Sequence, residues 1–454
     1  MSINQLSKEK SQFVSVLHIA IPTALQTLLQ TALLSIADQI MVSRLGTYSV
    51  AGVGLVGRYA GIFSTILTSI ATLASIMIAQ HYGKHDEKGV NQAISVNMST
   101  SLALSLVFMV TSILFAPQIL QLYSHDQQTI AEASVYLRVL AWEFIPMSIT
   151  NVISALLRCK GKSQIPLYFG LIGVGSNILL NWLLIFGVGP FPSMGIRGAG
   201  LATVLSLTVT SLLLLIYHVT FIIHHESHVV YDINIHTRGW INYLRMFFPL
   251  ICSGFSFTLC LNVFAGIYAH IGTLEVASLA IQTPLNITCT SLFTGFSVAA
   301  TVLVGKNLGV RNLNQAYSLS KRFILYSVAG SLIFSVFAFF FRGLYLNLFY
   351  LDTDLKAMSE RIVICYTIIA PLQILNMVLS GSILRCGGKT VYTMLNDLVC
   401  DWGIGVPVVL LSAFVFHLPF HLVYFMTIVN EAAKALASFL VFKKKVWMHT
   451  IESD

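Results

Sequence analysis

The chain has 454 residues, 56% of them hydrophobic and only 10% charged, with a mean hydropathy of +0.80. A soluble domain of this size carries roughly 25% charged residues to solvate its surface, so the composition excludes a soluble globular enzyme or binding module. The net charge of +8, with histidine neutral, is not a nucleic-acid signature either, because no basic domain with interleaved aromatics carries it.

Apolar stretches, each long enough to cross a ~30 Å hydrocarbon layer, follow one another along the chain. In order they lie near 16–41, 50–79, 93–115, 131–157, 165–188 and 198–222, then near 244–269, 276–304, 322–341, 360–384, 391–415 and 420–442. The connections are short apart from a polar stretch around 223–243. The fold class predicted is therefore an all-α membrane protein of twelve transmembrane helices. Its expected organisation is a six-helix lobe at 1–222, a cytoplasmic linker at 223–243 and a second six-helix lobe at 244–454.

Charge is distributed unevenly over the connections. Lys8, Lys10, Lys84, Lys88, Arg158, Lys160, Lys162, Arg238, Arg245, Lys306, Arg311, Lys321, Arg322, Arg385, Lys389 and Lys443 to Lys445 fall on one side. The other side holds Arg44, Arg197, Arg342 and Lys356, with Arg361 just inside a helix. The positive-inside rule then places both termini in the cytoplasm and the chain in the cell membrane. The first apolar run is too long for the core of a signal peptide and reads as the first span. Seven cysteines lie mostly in or beside apolar spans, with no CxxC pair and no zinc spacing, so they read as small core residues. Neither a metal nor a cofactor is expected.

The two halves repeat each other. Ile21-Pro22 is matched by Phe248-Pro249, Leu45-Gly46-Thr47 by Ile271-Gly272-Thr273, and Asn91-Gln92-Ala93 by Asn314-Gln315-Ala316. The clearest pair is Leu157-Arg158-Cys159-Lys160-Gly161-Lys162-Ser163 against Leu384-Arg385-Cys386-Gly387-Gly388-Lys389-Thr390. Most of these landmarks share, to within one position, the offset that carries Pro22 onto Pro249. Six spans is an even number, so the halves share an orientation and are related by a pseudo-two-fold axis along the membrane normal. Transporters so built bind substrate within or between the lobes.

These residues resemble the multidrug and toxic compound extrusion (MATE) family over nearly the whole chain. The resemblance is carried by Pro22 and Asp38, Ala79-Gln80-x-x-Gly83, Gly161-Lys162-Ser163, Asn177, Gly195-x-x-Gly198-Ala199-Gly200-x-Ala202-Thr203 and Gly305-x-x-Leu308-Gly309. It implies efflux of organic, often cationic, compounds driven by a proton or sodium gradient. The seventh span, Leu250 to Ala269, has no acidic residue. The sodium-associated NorM branch usually carries a glutamate there, so the chain is more similar to the DinF branch.

Asp38 is the leading candidate for cation coupling. On a regular helix Thr27, Thr31, Ser35 and Asp38 fall within roughly 80° of one another, with Thr23 and Gln30 flanking. An aspartate facing lipid at mid-membrane costs ~2.5–3.5 kcal/mol or more, so this stripe should face protein or a wet cavity. Proton and cationic substrate can compete for such a carboxylate. The plainer alternative is an interfacial aspartate, because the topology sets Asp38 toward the external end of its helix.

Asn177 and Asn181 share one face of the fifth span and can hold a cation or ligand without the cost of charge, or simply join helices. The DinF branch often has aspartate at the second of these positions; Asn181 departs from it. Thr203 completes the pattern, though it could bond only to its own helix. In the second half Asp397 and Asp401 lie one turn apart, aligning with Gly170 and Val174. Two close carboxylates cannot both ionise cheaply in a dry site. Gln30, Thr31, Asn177, Asn181, Thr203, Asp397 and Asp401 are thus candidate substrate or cation ligands. Glu431 and Lys434, at i and i+3, are expected to pair with each other. Glu143, beside Trp142 and close to Pro146, is a lone acid whose surroundings the sequence does not reveal.

Other classes fare worse. His225-Glu226-Ser227-His228 is not a zinc-protease motif, and neither Gly161-Lys162-Ser163 nor Gly388-Lys389-Thr390 has the upstream glycine of a P-loop. A channel would more naturally assemble rings from several chains, whereas a duplicated chain suits a monomer. The nearest rival is a lipid or lipid-linked oligosaccharide flippase with a cationic cavity. The intramembrane acids Asp38, Glu143, Asp397, Asp401 and Glu431 outnumber Arg58, Arg138 and Lys434, which favours small organic cations as cargo, with membrane lipids as surroundings.

Overall fold

Within lipid an apolar run can satisfy its own backbone polar groups only as helix or closed barrel. The computed structural model describes residues 3–223, 237–349 and 351–449, and every regular element in them is helical. The linker expected at 223–243 and the stretch His225 to His228 fall largely outside these residues, as do the side chains of Lys8, Lys10, Ser35 and Arg238. Eleven helices among the described residues are long and apolar enough to span: Tyr48–Gly83, Glu87–Gln121, Gln127–Cys159, Gln164–Phe186, Ile196–Thr220, Trp240–Ile271, Thr273–Gly309, Leu313–Leu346, Thr353–Leu384, Thr390–Val415 and Phe420–Lys443. They are the second to twelfth spans. The first is also helical, as Ile3–Leu28, a π-helical turn at Leu29–Leu33, and Leu34–Ser43.

Helix ends follow local chemistry. Asp86 caps the third span by accepting from the Gly89 amide at 3.0 Å, and Asn312 caps the ninth by accepting from Gln315 at 3.2 Å. Each is preceded by a left-handed residue, His85 (φ 58°) or Arg311 (φ 57°), so the duplicated turn keeps its backbone although its sequence has drifted. Gly198 is required by a close approach, because a Cβ there would lie 2.6 Å from the Leu184 carbonyl.

Packing in lipid comes from close contact and polar bonds between helices rather than from expelling water. The third span lays Asn97, Ser101, Ser105 and Ser112 inward, all fully buried, and Ser105 bonds Ser148 of the fourth. The ninth turns Ser320, Ser327 and Ser331 inward in the same way. These two spans are among the least enclosed, 22% and 28% buried, whereas the fourth and tenth are each 61% buried. The second span, also 61% buried, is as enclosed as the latter two.

The chain divides into two compact units. One is Leu25–Arg238; the other joins Gly239–Asp454 to the segment ending at Ala24. The division falls within the first helix, just after Pro22, which has no amide hydrogen to give the preceding turn.

Candidate functional site

In the first lobe the fifth span presents Asn177 and Asn181 on one buried face, and both find partners on neighbouring helices. Asn181 Nδ2 donates to Asp38 Oδ1 at 2.6 Å and to Asn177 Oδ1 at 2.8 Å. Asn177 Nδ2 donates in turn to Thr203 Oγ1 and Ser206 Oγ, both at 3.4 Å. Four of the sequence-derived candidates thus form one hydrogen-bond chain from the first span to the sixth. Asn181 Oδ1 is buried beside it with no hydrogen-bond partner.

Thr203 and Ser206 line a cavity of about 310 Å³ inside the lobe, together with Gln26, Gln30, Glu143 and Arg158. Glu143 reaches it because the fourth span presents Glu143, Met147, Thr150 or Asn151, Ser154 and Arg158 at steps of three or four, which is one face of a helix. The Glu143 carboxyl has no hydrogen bond or ion pair among the described residues. The charge of Asp38 acts on it, and both carboxyls act on the Tyr136 phenol.

Two expectations shift here. The stripe through Thr31 is replaced by Gln26, Gln30 and Leu34 on the cavity wall, leading on to Asp38, while Thr31 is exposed. The π-helical turn at Leu29–Leu33 is the cause: its i→i+5 bonding turns less per residue than the regular helix, so the face slips by about one position. Arg158 and Arg385, counted with the loop cations, lie inside the lobes instead. Arg158 donates to Gln26 Oε1 at 3.0 Å and Arg385 to Ser253 Oγ at 2.8 Å.

The second lobe arranges its acids differently. Asp397 accepts from Ser253 and meets Arg385 at 3.4 Å. Asp401, fully buried, pairs with Lys434 at 2.7 Å and accepts from Asn430 at 2.9 Å. The two aspartates therefore do not share one site; each has its own cation, and a π-helical segment, Val399–Gly405, begins between them. Lys434 was expected on Glu431. Its ion pair is with Asp401 on the facing helix, a fully buried carboxylate that needs a counterion, while the charge of Glu431 also acts on it. Glu431 is held by Asn376, whose Nδ2 donates to its Oε2 at 2.6 Å. Sequence reasoning overlooked Ser206 and Gln26. The repeat offset carries Arg158 onto Arg385 and Gln26 onto Ser253 alike, and that shared offset was the signal that could have found Gln26.

Comparison with known proteins bears on the whole arrangement. The MatE family model matches twice, over residues 22–183 and again over 249–411. The chain belongs to the MatE family. The two matches begin at Pro22 and Pro249, the same pair of prolines that opens the internal repeat. The chain is 21% identical over 417 residues to the uncharacterized transporter YisQ of Bacillus subtilis, covering 91% of this chain and 90% of that protein. It is 25% identical over 414 residues to a probable multidrug resistance protein NorM of Thermotoga maritima, covering 89% and 87%. A solved outward-facing conformation of a multidrug resistance MATE family transporter of the MOP superfamily matches with a TM-score of 0.85 at 20% identity over 95% of each chain. The fold is thus the two-lobed MatE fold, and MatE proteins are transporters, not enzymes.

Proposed function

We propose that this MatE protein is an antiporter that exports organic cations from the cytoplasm by alternating access, exchanging them for protons or sodium at Asp38. It works in the cell membrane as a monomer with both termini cytoplasmic, on the pattern of the DinF branch, in keeping with the absence of an acid from the seventh span. Relatives described as multidrug resistance proteins support export.

The observation that carries the coupling role is the chain from Asp38 to the cavity wall. Ionised Asp38 accepts from Asn181. A proton on Oδ1 of Asp38 makes that oxygen a donor, and the Asn181 amide then turns its own Oδ1, now without a partner, toward it. Asn177 then reverses too, and the hydroxyls of Thr203 and Ser206 become donors to it. Occupancy of one carboxylate is thereby read at the cavity surface, where Glu143 draws the cationic cargo. Loading with a proton and loading with cargo favour different states of the lobe.

The test is efflux of ethidium from proteoliposomes under separately imposed proton and sodium gradients, for wild type and Asp38→Asn at equal protein content. The variant should lose gradient-driven efflux by about tenfold or more while still binding the dye. Efflux unchanged in the variant would remove Asp38 from coupling. Failure of wild type to move any cation would shift the reading to a lipid flippase.

A further inference from the structure

Arg158 and Arg385 are related by the repeat offset and occupy equivalent places at the ends of the fourth and tenth spans. Each donates a hydrogen bond to the first helix of its own half, to Gln26 in one case and Ser253 in the other, and the same offset relates these two acceptors. What differs is the counterion. Arg385 has Asp397 at 3.4 Å. The first-lobe position equivalent to Asp397 is Gly170, which has no side chain.

That missing side chain opens onto the cavity of about 310 Å³, lined there by Gly170, Gln26, Gln30 and Arg158. Arg158 makes no ion pair among the described residues, and its Nε–H, like that of Arg385, is buried without an acceptor. Glu143 lies on the same wall but fifteen positions earlier in the helix, ~20 Å of rise away, so it does not neutralise the guanidinium. A guanidinium enclosed without a counterion is costly, and an arriving anion relieves that cost.

We propose that Arg158 docks a carboxylate of the transported compound, in the space that Asp397 fills in the other lobe. Gln30 Nε2, 3.2 Å from where a Cβ on Gly170 would sit, supplies a second donor to the same group. The cargo is then a compound that carries a carboxylate as well as a cationic group, rather than a simple cation. This deepens the efflux reading and rests on it for the claim that the bound compound is carried.

A matched pair of dyes tests the proposal: rhodamine 110, which has a free carboxylate, and rhodamine 123, its methyl ester. Binding to the purified full-length protein is measured by fluorescence polarisation, and efflux is measured in proteoliposomes. Wild type should prefer the free acid by roughly tenfold, the scale of one charge-assisted hydrogen bond. Arg158→Gln should erase the preference. Gly170→Asp should erase it as well, by giving the guanidinium an in-chain carboxylate, and it carries the test alone if Arg158→Gln does not fold. Equal wild-type affinity for both dyes, or a preference that survives in the folded variants, overturns the proposal. Arg158-dependent binding without transport of either dye would uphold the carboxylate site and overturn the efflux reading instead.

Discussion

The two lobes share a frame and differ in how they treat charge. In the second lobe Asp397 has Arg385, and buried Asp401 has Lys434 with Asn430 beside it. In the first, Asp38 has only the amide of Asn181, Glu143 has no partner among the described residues, and Arg158 has only Gln26. Paired charges are fixed by their mutual attraction, whereas unpaired ones around a cavity are available to a ligand or a proton. One duplicated fold thus holds a lobe in which both aspartates have ion pairs and Glu431 rests on Asn376. In its other lobe Asp38, Glu143 and Arg158 make no ion pair among the described residues. The difference between the lobes comes from side chains that differ at equivalent positions, Gly170 against Asp397, and from π-helical segments placed differently, Leu29–Leu33 in one and Val399–Gly405 in the other.

The largest expected effect tests the lobe with paired aspartates. Lys434→Met leaves Asp401 buried without a counterion and should destabilise the protein by about 3–5 kcal/mol. Thermal unfolding in detergent would read this, and the double variant Lys434→Met with Asp401→Asn should recover at least half of the loss. Glu143→Gln in the first lobe breaks no ion pair and should leave the midpoint nearly unchanged. Comparable destabilisation in the two lobes would dissolve the contrast.

Next in size is a change at the duplicated turn after the fourth and tenth spans. A Cβ on Gly387 would lie 1.6 Å from the Trp447 carbonyl, and Trp447 is fully buried against Phe442, their rings 5.7 Å apart. Backbone cannot yield as a side chain can, so Gly387→Ala should cost about 1–3 kcal/mol. The equivalent position of the first lobe holds Lys160, which has a long side chain, so the restriction belongs to the second lobe alone. A midpoint unaltered in Gly387→Ala would show that the C-terminal Trp447 does not anchor this lobe.

The fold was legible because it rests on composition and on identical residues at a constant spacing, both of which survive in a linear chain. Asp38, Asn177, Asn181 and Thr203 were legible as candidates because polar groups stranded in apolar spans must face protein or water, but their hydrogen bonds to one another were not. What stayed hidden depended on geometry that sequence does not carry. The π-helical turn at Leu29–Leu33 moved the polar face from Thr31 to Gln26, Gln30 and Leu34, and no spacing rule for a regular helix anticipates that slip. The pairing of Lys434 with Asp401 hid for a different reason: neighbours along one helix can be counted, but partners across helices cannot.

A contrast of similar size lies in the arginine pair. Arg385→Gln removes both the Ser253 bond and the counterion of Asp397, and should cost about 2–3 kcal/mol. Arg158→Gln loses one hydrogen bond but also removes an unpaired charge, so its cost should stay under about 1 kcal/mol. Unfolding midpoints of the two variants, measured side by side, should differ in that order. Equal costs would mean that the first lobe also supplies Arg158 with a counterion.

The smallest contrast lies in the matched caps Asp86 and Asn312, outside the spans. Partial burial pushes the Asp86 carboxyl upward, but the Gly89 amide, His81 at 2.8 Å and the charge of Lys84 together outweigh it and hold the group below the usual aspartate range. A carboxyl depressed in the folded state adds stability at pH above its unfolded value of roughly 3.9, and that stability is lost as the pH falls through the folded value. Asp86→Asn should therefore lower the unfolding midpoint at neutral pH by the equivalent of a few tenths to about 1 kcal/mol, since the group is over a third exposed. The difference from wild type should shrink toward zero in acid. Asn312→Asp places a carboxyl on the same turn without the His81 equivalent, so its pH dependence should be weaker. A difference for Asp86→Asn that persists undiminished below pH ~3 would assign the cap's effect to hydrogen-bond geometry and not to charge.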